Sequence, residues 1–464
     1  MGKGRALYME MNWSKLLNTH RLRRDPDKKP PELELSPFFE DQDRILFSQP
    51  FRRLQAKTQV HPLADNDHVR TRLTHSIEVG TIGYALGSKV GRKIIEKHKI
   101  ENFDEHDIGL LVQAACFAHD IGNPPFGHIG EQAIREWFVN NSSNILRKID
   151  ITEDEIRDLT LFEGNAQGFR ILTQIENYKW SGGMQLTYAT LATFMKYPWG
   201  SDYIKYDWAK QVDPKSKGKY SIFQAEKEYA KEIADNVGLI PRNDFSWYRH
   251  PLAYLVEASD DICYALIDLE DGIEMNSFTI KEYIDLFYDK FITRETNKRE
   301  YDKFDDNVQR ISYLRSKAML AILLQVADAF VENEKKLLDG SFSNSLFDVI
   351  KERKFVEKAK KIAAEKVFAH EKKQFVEIAA YEIISGLLDA FIEACIFETK
   401  KEKSKKLRKL MGRMNPEDSD SNYQKIMRVV DFIAGMTDRY ALGIYRQLKG
   451  IAVSSSTPAP NIIS

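Results

Sequence analysis

Glycine and proline, the residues that most often interrupt regular secondary structure, are scarce in this chain, at 24 and 15 among 464 residues. A strand-rich fold needs a turn roughly every 8–12 residues, and that punctuation is missing. Helix is therefore the expectation, and the apolar spacing agrees. From Val69 to about Lys97, the residues Leu73, Ile77, Ile82, Ala85, Leu86, Val90, Ile94 and Ile95 recur at steps of three, four and five with occasional neighbours, which predicts an amphipathic helix. A second helix is predicted over 106–118, through IGLLVQAACFA. HDIGNPPFGH then breaks the pattern with Gly122, Pro124, Pro125 and Gly127, and a further helix starts near His128.

Further along, FEGNAQGFRILTQI (162–175), QLTYATLATFMKYPW (185–199, stopped by Pro198) and PLAYLVEASDDICYALIDLE (251–270, with Pro251 at a favourable first position) read as helices. Residues 200–220, rich in Gly, Asp and Lys, read as an excursion or flap. From 275 to 452 helix follows helix, and no internal repeat is found. The fold class is all-α. Residues 1–45 are expected to form a surface arm that docks late, 46–275 the core, 276–452 a further helical region, and 453–464 a flexible tail.

The 68 Lys+Arg and 69 Asp+Glu leave a net charge of -1, which excludes a general basic coat for nucleic acid and a general acidic shield. Local clusters stay open. The run KKEKSKKLRKLMGR at 400–413 reads as a solvated helix face, with a phosphate or single-stranded nucleic-acid contact as the alternative. Cys116, Cys263 and Cys395 are too far apart in sequence for a CxxC pair, which suits a reducing compartment. The first residues, MGKGRALYMEMNWSKLL, lack an uninterrupted apolar segment, and no apolar run approaches the roughly 18–20 residues of a membrane span. A cytoplasmic protein with no membrane partner is expected.

Chemistry is sought among the histidines, of which there are only ten. His119 and Asp120 are adjacent, and neighbours on a helix point about 100° apart. They converge on one cation only at a helix end, which the following Ile-Gly-Asn-Pro-Pro supplies. Mixed imidazole and carboxylate ligands suit Mn, Fe or Zn, and Mg less naturally. His75 and Arg72 are three apart on one helix face, as are His128 and Glu131 at the start of another. Asp260, Tyr264 and Asp268 fall at i, i+4 and i+8, one helix stripe, with Asp261 as the neighbouring alternative to Asp260. Glu163, Asn165 and Gln167 stand at a helix start, where capping competes with support of His128.

These residues, in the strings FRRLQAKTQVHPL, VRTRLTHSIEV, AHDIGNPPFGHIGE, FEGNAQGFRIL, LTYATLATFMKYPW, EASDDICYALIDLEDG and FIAGMTDRYAL, follow the pattern H…HD…D. The chain closely resembles the HD-domain deoxyguanosine triphosphate triphosphohydrolases (dGTPases) and related deoxynucleotide triphosphohydrolases over about residues 45 to 445. The resemblance implies an HD-domain catalytic core at 46–275, with 276–452 completing the pocket and the oligomer contacts. It implies a divalent metal ion (Mn, Mg, Fe or Zn) on His75, His119, Asp120 and Asp260, and phosphoryl chemistry by His128 with Glu131. Arg72 would contact phosphate, while Gln59 and Asp268 would read the sugar 3′-hydroxyl and Tyr264 would pack on the sugar. Lys196 and Tyr197 would contact phosphate and sugar, and Tyr423 would approach the base.

The implied reaction is hydrolysis of dGTP, or other dNTPs, at the α-phosphorus to the deoxynucleoside and inorganic triphosphate. Implied partners are the deoxynucleoside triphosphate, a single-stranded DNA or nucleotide effector, and further copies of the chain in a homo-oligomer such as a hexamer. Two other readings stand beside it: an HD phosphohydrolase acting on nucleoside monophosphates or cyclic nucleotides, and a nucleic-acid-binding regulatory protein with little turnover.

Overall fold

Thr71 starts the first long helix. Its hydroxyl accepts the Thr74 amide while its own amide donates to the Thr74 hydroxyl, and the helix runs Arg72–His98 until Lys99 turns left-handed at φ 52. Asp104 and Asp107 make the same reciprocal cap for the next helix, Glu105–Ala118. The computed structural model describes residues 10–23, 35–59, 70–177, 181–211, 216–367 and 371–451, and these two helices form its central antiparallel pair. Glycines on the first helix let the second come close. A methyl group on Gly83 would lie 2.5 Å from Cys116 Sγ, and one on Gly87 would lie 2.8 Å from the Ile108 carbonyl.

Around this pair the chain adds helix after helix. Ala253–Leu266 packs across both, and Asn307–Glu332 packs on Arg72–His98 and Ile280–Phe291. Glu371–Ile392 lies against His128–Asn141, Asn422–Ala434 and Asp438–Leu448, so the C-terminal region reaches the core. The only ladder among the described residues is a two-stranded antiparallel hairpin, Pro241–Asn243 with Ser246–Trp247. The fold is all-α. No helix among the described residues is long and apolar enough to cross a membrane.

Several local expectations are corrected. In the stretch read as a surface arm, Trp13, Leu16, Leu17, Phe38 and Ile45 are buried, and the Trp13 indole donates to Glu334 at 2.8 Å. Each such apolar side chain gains about 2 kcal/mol by leaving water, which outweighs the charged residues between them. The segment read as a flap is also docked: Ser201, Asp202, Tyr203 and Tyr220 are buried, and Trp199 packs on Tyr203 and Trp208. Residues 212–215 of it lie outside the described residues, as do Val69 and all of the expected tail beyond Ile451. The helix over 185–199 shortens to Tyr188–Phe194, ending ahead of Pro198. Pro251 lies in a turn ahead of the helix rather than opening it, and the helix breaks at Ile267, so Asp268 begins a separate one, Asp268–Glu274.

Buried His250 holds that turn to the N-terminal segment. Its Nδ1 accepts the Leu252 amide at 3.1 Å, and its Nε2 donates to the Leu16 carbonyl at 3.2 Å, so the ring is neutral. Burial pushes its pKa from 6.5 down to about 4. The unfolded chain therefore binds one more proton than the folded one between these values. Stability from this group is present above pH 6.5 and is lost as pH falls toward 4, by up to about 3 kcal/mol. His250→Asn, which keeps an acceptor for Leu252, is expected to lose less melting temperature between pH 7 and pH 5 than the wild type; parallel curves would contradict this assignment.

Candidate active site

The antiparallel pair brings the start of one helix beside the end of the other. His75 lies in the first turn of Arg72–His98, and His119 caps Glu105–Ala118, so their rings stand 5.3 Å apart, edge to face. Asp260 comes in from the crossing helix Ala253–Leu266. Ligand atoms of His75, His119 and Asp260 lie within 4.8 Å of one another.

The donor chemistry of this group suits a cation. His119 Nδ1 is 2.6 Å from the Cys116 carbonyl, which only accepts, so Nδ1 carries the proton and Nε2 is left with a lone pair. That Nε2 is buried without a hydrogen-bond partner, 3.8 Å from Asp260 Oδ1 and 3.7 Å from Asp120 Oδ1. His75 Nε2 shares a hydrogen bond of 3.1 Å with the same Asp260 oxygen. Burial opposes charge on both, yet their mutual attraction prevails: the His75 pKa is raised and the Asp260 pKa lowered. A divalent ion would replace the proton held there.

Asp120 stands beside the trio and is engaged elsewhere. Arg72 Nη1 donates to its Oδ2 at 2.6 Å, and Asn123 Nδ2 donates to its Oδ1 at 2.5 Å. Burial works against the Asp120 charge, but Arg72, His119 and His75 hold it well below the usual carboxylate range. Of the adjacent acidic pair, Asp260 faces the histidines, whereas Asp261 pairs with Lys360 at 2.5 Å.

His128 opens the helix His128–Asn141 with its side chain 65% exposed, and its Nδ1 lies 3.3 Å from Glu131 Oε2. Glu131 is buried, and accepts the Gly164 amide at 2.9 Å. Burial raises the cost of its charge, but His128, Lys219 and Arg135 keep it ionised, and its pKa is lowered. Glu163 shares those cations, 2.9 Å from Lys219 and 3.0 Å from Arg135. The segment read as a flap thus supplies a cation to the His128–Glu131 pair, which the sequence reading missed.

Lys196 Nζ lies 3.3 Å from Glu257 Oε1 and over the Tyr197 ring at 5.7 Å; Arg249 meets both Glu257, at 3.1 Å, and Tyr197. Glu257 was not anticipated, although it sits three residues before Asp260 on the same helix face. Tyr264 stands 5.8 Å from the His75 ring. Asp268 is buried with Oδ2 unpartnered, and burial pushes its pKa up to about 8. Gln59 follows the bridge between Thr58 and Thr71, with its Oε1 buried and unpartnered. Tyr423 is placed apart from this group. Its hydroxyl donates to Asp158 at 2.6 Å, and it lines a separate cavity of about 620 Å³ with Arg170, Arg428 and Asp431. In the basic run, Lys401 pairs with Glu398, Lys405 with Glu402 at 2.6 Å, and Arg413 with Glu176 at 3.2 Å.

The HD-domain family matches residues 72–179, which carry His75 through Glu163, and the phosphohydrolase-associated domain matches residues 351–447. A Pseudomonas aeruginosa (strain LESB58) protein described as deoxyguanosinetriphosphate triphosphohydrolase-like is 41% identical over 450 residues, covering 95% of this chain and 99% of its own. The chain belongs to this family. A protein of Synechocystis sp. with the same description is 38% identical over 454 residues, covering 96% of this chain and 100% of its own. One of Enterobacter sp. (strain 638), named deoxyguanosinetriphosphate triphosphohydrolase, is 29% identical over 511 aligned positions, covering 94% and 98%. The chain is thus an HD-type hydrolase, and HD domains bind divalent metals.

The loop between the two halves of the site rests directly on backbone. A methyl group on Gly122 would lie 2.1 Å from the Gly168 nitrogen and 2.2 Å from the Gly164 carbonyl oxygen, and main chain cannot swing aside as a side chain does. Gly122→Ala is therefore expected to destabilise the protein by about 3 kcal/mol or more, measured by urea unfolding. An unchanged midpoint would show that the loop is not seated on the Gly164–Arg170 helix.

Proposed function

We propose that the chain hydrolyses a deoxynucleoside triphosphate, dGTP foremost, at the α-phosphorus, releasing the deoxynucleoside and inorganic triphosphate. The observation that carries this reading is the buried, partnerless Nε2 of His119 aimed into the His75–Asp260 group, one loop away from the His128–Glu131 pair. His75, His119 and Asp260 would hold a divalent ion, with Asp120 at its side. When bound, such an ion supplies Lewis acidity for the phosphoryl group and for the attacking water.

The chain's own residues do the rest. Glu131 fixes the His128 ring through Nδ1, so that the imidazolium gives its Nε2 proton to the 5′-oxygen as the bond from α-phosphorus to that oxygen breaks and the water oxygen bonds to phosphorus; the proton that the water gives up restores the ring. Arg72 and Lys196 neutralise the triphosphate; each is held by a carboxylate, Asp120 and Glu257, and so is pre-oriented. Gln59 and Asp268 carry unpartnered buried oxygens suited to a sugar hydroxyl, and Tyr264 closes on the sugar where a ribose 2′-hydroxyl would have neither space nor partner. Family resemblance extends the proposal to a homo-oligomer responsive to a nucleotide or single-stranded DNA.

Purified protein incubated with each dNTP and Mn²⁺ or Mg²⁺, with chromatographic separation of products, tests this directly. Intact triphosphate together with deoxynucleoside is expected, fastest from dGTP; stepwise release of phosphate would overturn the reaction, as would selective cleavage of monophosphates or cyclic nucleotides. His119→Ala and Asp260→Ala are expected to cut the rate by at least about a hundredfold and to weaken Mn²⁺ binding in calorimetric titration. Wild-type rates in both variants would refute the metal assignment.

A further inference from the structure

The motif FIAGMTDRYAL lies far from the histidines in sequence, and no step above uses it. In the structure it closes on the site from behind. Helix Asn422–Ala434 ends and helix Asp438–Leu448 begins around this motif, and the turn between them meets the loop that runs from Asp120 to His128. Asp438, 2% exposed, accepts the Phe126 amide on Oδ1 at 2.9 Å, and on Oδ2 it accepts the Thr58 amide at 3.1 Å and the Thr58 hydroxyl at 2.8 Å. Lys57, 3% exposed, donates from Nζ to the Asn123 carbonyl at 2.5 Å and to the Ala434 carbonyl at 2.8 Å.

The contacts fall where the loop most needs holding. Phe126 is a bulky residue at φ 64, in the left-handed region, and Gly127 follows at φ 60. A side-chain-bearing residue there costs about 1–2 kcal/mol and persists when its surroundings enforce it. This left-handed pair turns the chain so that His128 opens its helix beside Glu131. A methyl group on Gly127 would lie 2.5 Å from Arg72 Nη2, so the same turn sits against the guanidinium held by Asp120. The Lys57 carbonyl in turn accepts the Arg72 amide at 3.0 Å.

We propose that Asp438, with Lys57, is a positioning residue for the reaction: the phosphohydrolase-associated domain latches the HD loop in the conformation that presents His128 to substrate. The latch itself rests on geometry alone, and its effect on turnover rests on the reaction proposed above. The test is amide hydrogen exchange on the full-length protein together with steady-state kinetics on dGTP, comparing wild type with Asp438→Ala. Exchange at Phe126 is expected to rise at least tenfold while the core of Arg72–His98 stays protected. The kcat per folded protein is expected to fall at least tenfold with KM changed less than threefold. A loss of stability without a positioning role would raise exchange in the core of Arg72–His98 as well and would leave kcat per folded protein unchanged. If the alanine variant does not fold, Asp438→Asn, which keeps one acceptor and cannot serve both Thr58 and Phe126, is read in the same way. Unchanged exchange at Phe126, or raised exchange with wild-type kcat, overturns the proposal. A wild type that releases no triphosphate from dGTP refutes the proposed reaction instead, and the exchange measurement then decides the latch on its own.

Discussion

The close approach of Arg72–His98 to Glu105–Ala118 governs the rest of the molecule, because it puts His75 and His119, on opposite helices, with their rings 5.3 Å apart. Two helices separated by large side chains sit about 10 Å apart, and smaller residues at the contact bring them closer. Gly80, Gly83, Gly87 and Gly91 remove those side chains along one face, at steps of three, four and four. Phe117, Cys116, Val112 and Ile108 of the partner fill the space. The pair is antiparallel, so the N-terminal turn that holds His75 meets the C-terminal end that holds His119. Ala253–Leu266 then needs only to cross this junction to bring in Asp260.

Charge is the second organising element. Nearly every charged group of the site stands, buried or half-buried, beside an opposite one: Arg72 with Asp120, Lys196 and Arg249 with Glu257, Lys219 with Glu163, and Lys360 with Asp261. A buried ion pair contributes little net stability, since desolvation offsets attraction. Its use is orientation: the cations are fixed before a polyanion arrives, and the carboxylates keep them soluble in the protein interior until then. The near neutrality of the whole chain therefore conceals a site in which both signs are concentrated.

Much of this was legible in advance. The helices carrying His75, His119 and His128 appear within a few residues of their expected bounds, because long amphipathic repeats and the HDIGNPPFGH interruption are strong local signals. Less legible were segments whose local composition is polar but whose few aromatic residues decide their fate. Trp13 and Phe38 draw the N-terminal lead inward, and Tyr203, Trp208 and Tyr220 draw in the supposed flap and with it Lys219. The place of Tyr423 near the end of the chain likewise gave no clue that its hydroxyl would bond to Asp158.

By itself, the sequence determined that the chain is helical, where its central helices stop, and which residue types with metal-ligand and proton-transfer chemistry stand at those stops. These are local properties, set by side-chain periodicity and by Gly and Pro within a turn or two. Only the tertiary structure decided that His119 presents a bare Nε2 and that Asp438 and Lys57 grip the loop, Asp438 from the far end of the chain. Those outcomes depend on side-chain direction and on hydrogen bonds between residues as much as 380 positions apart, which no local pattern encodes.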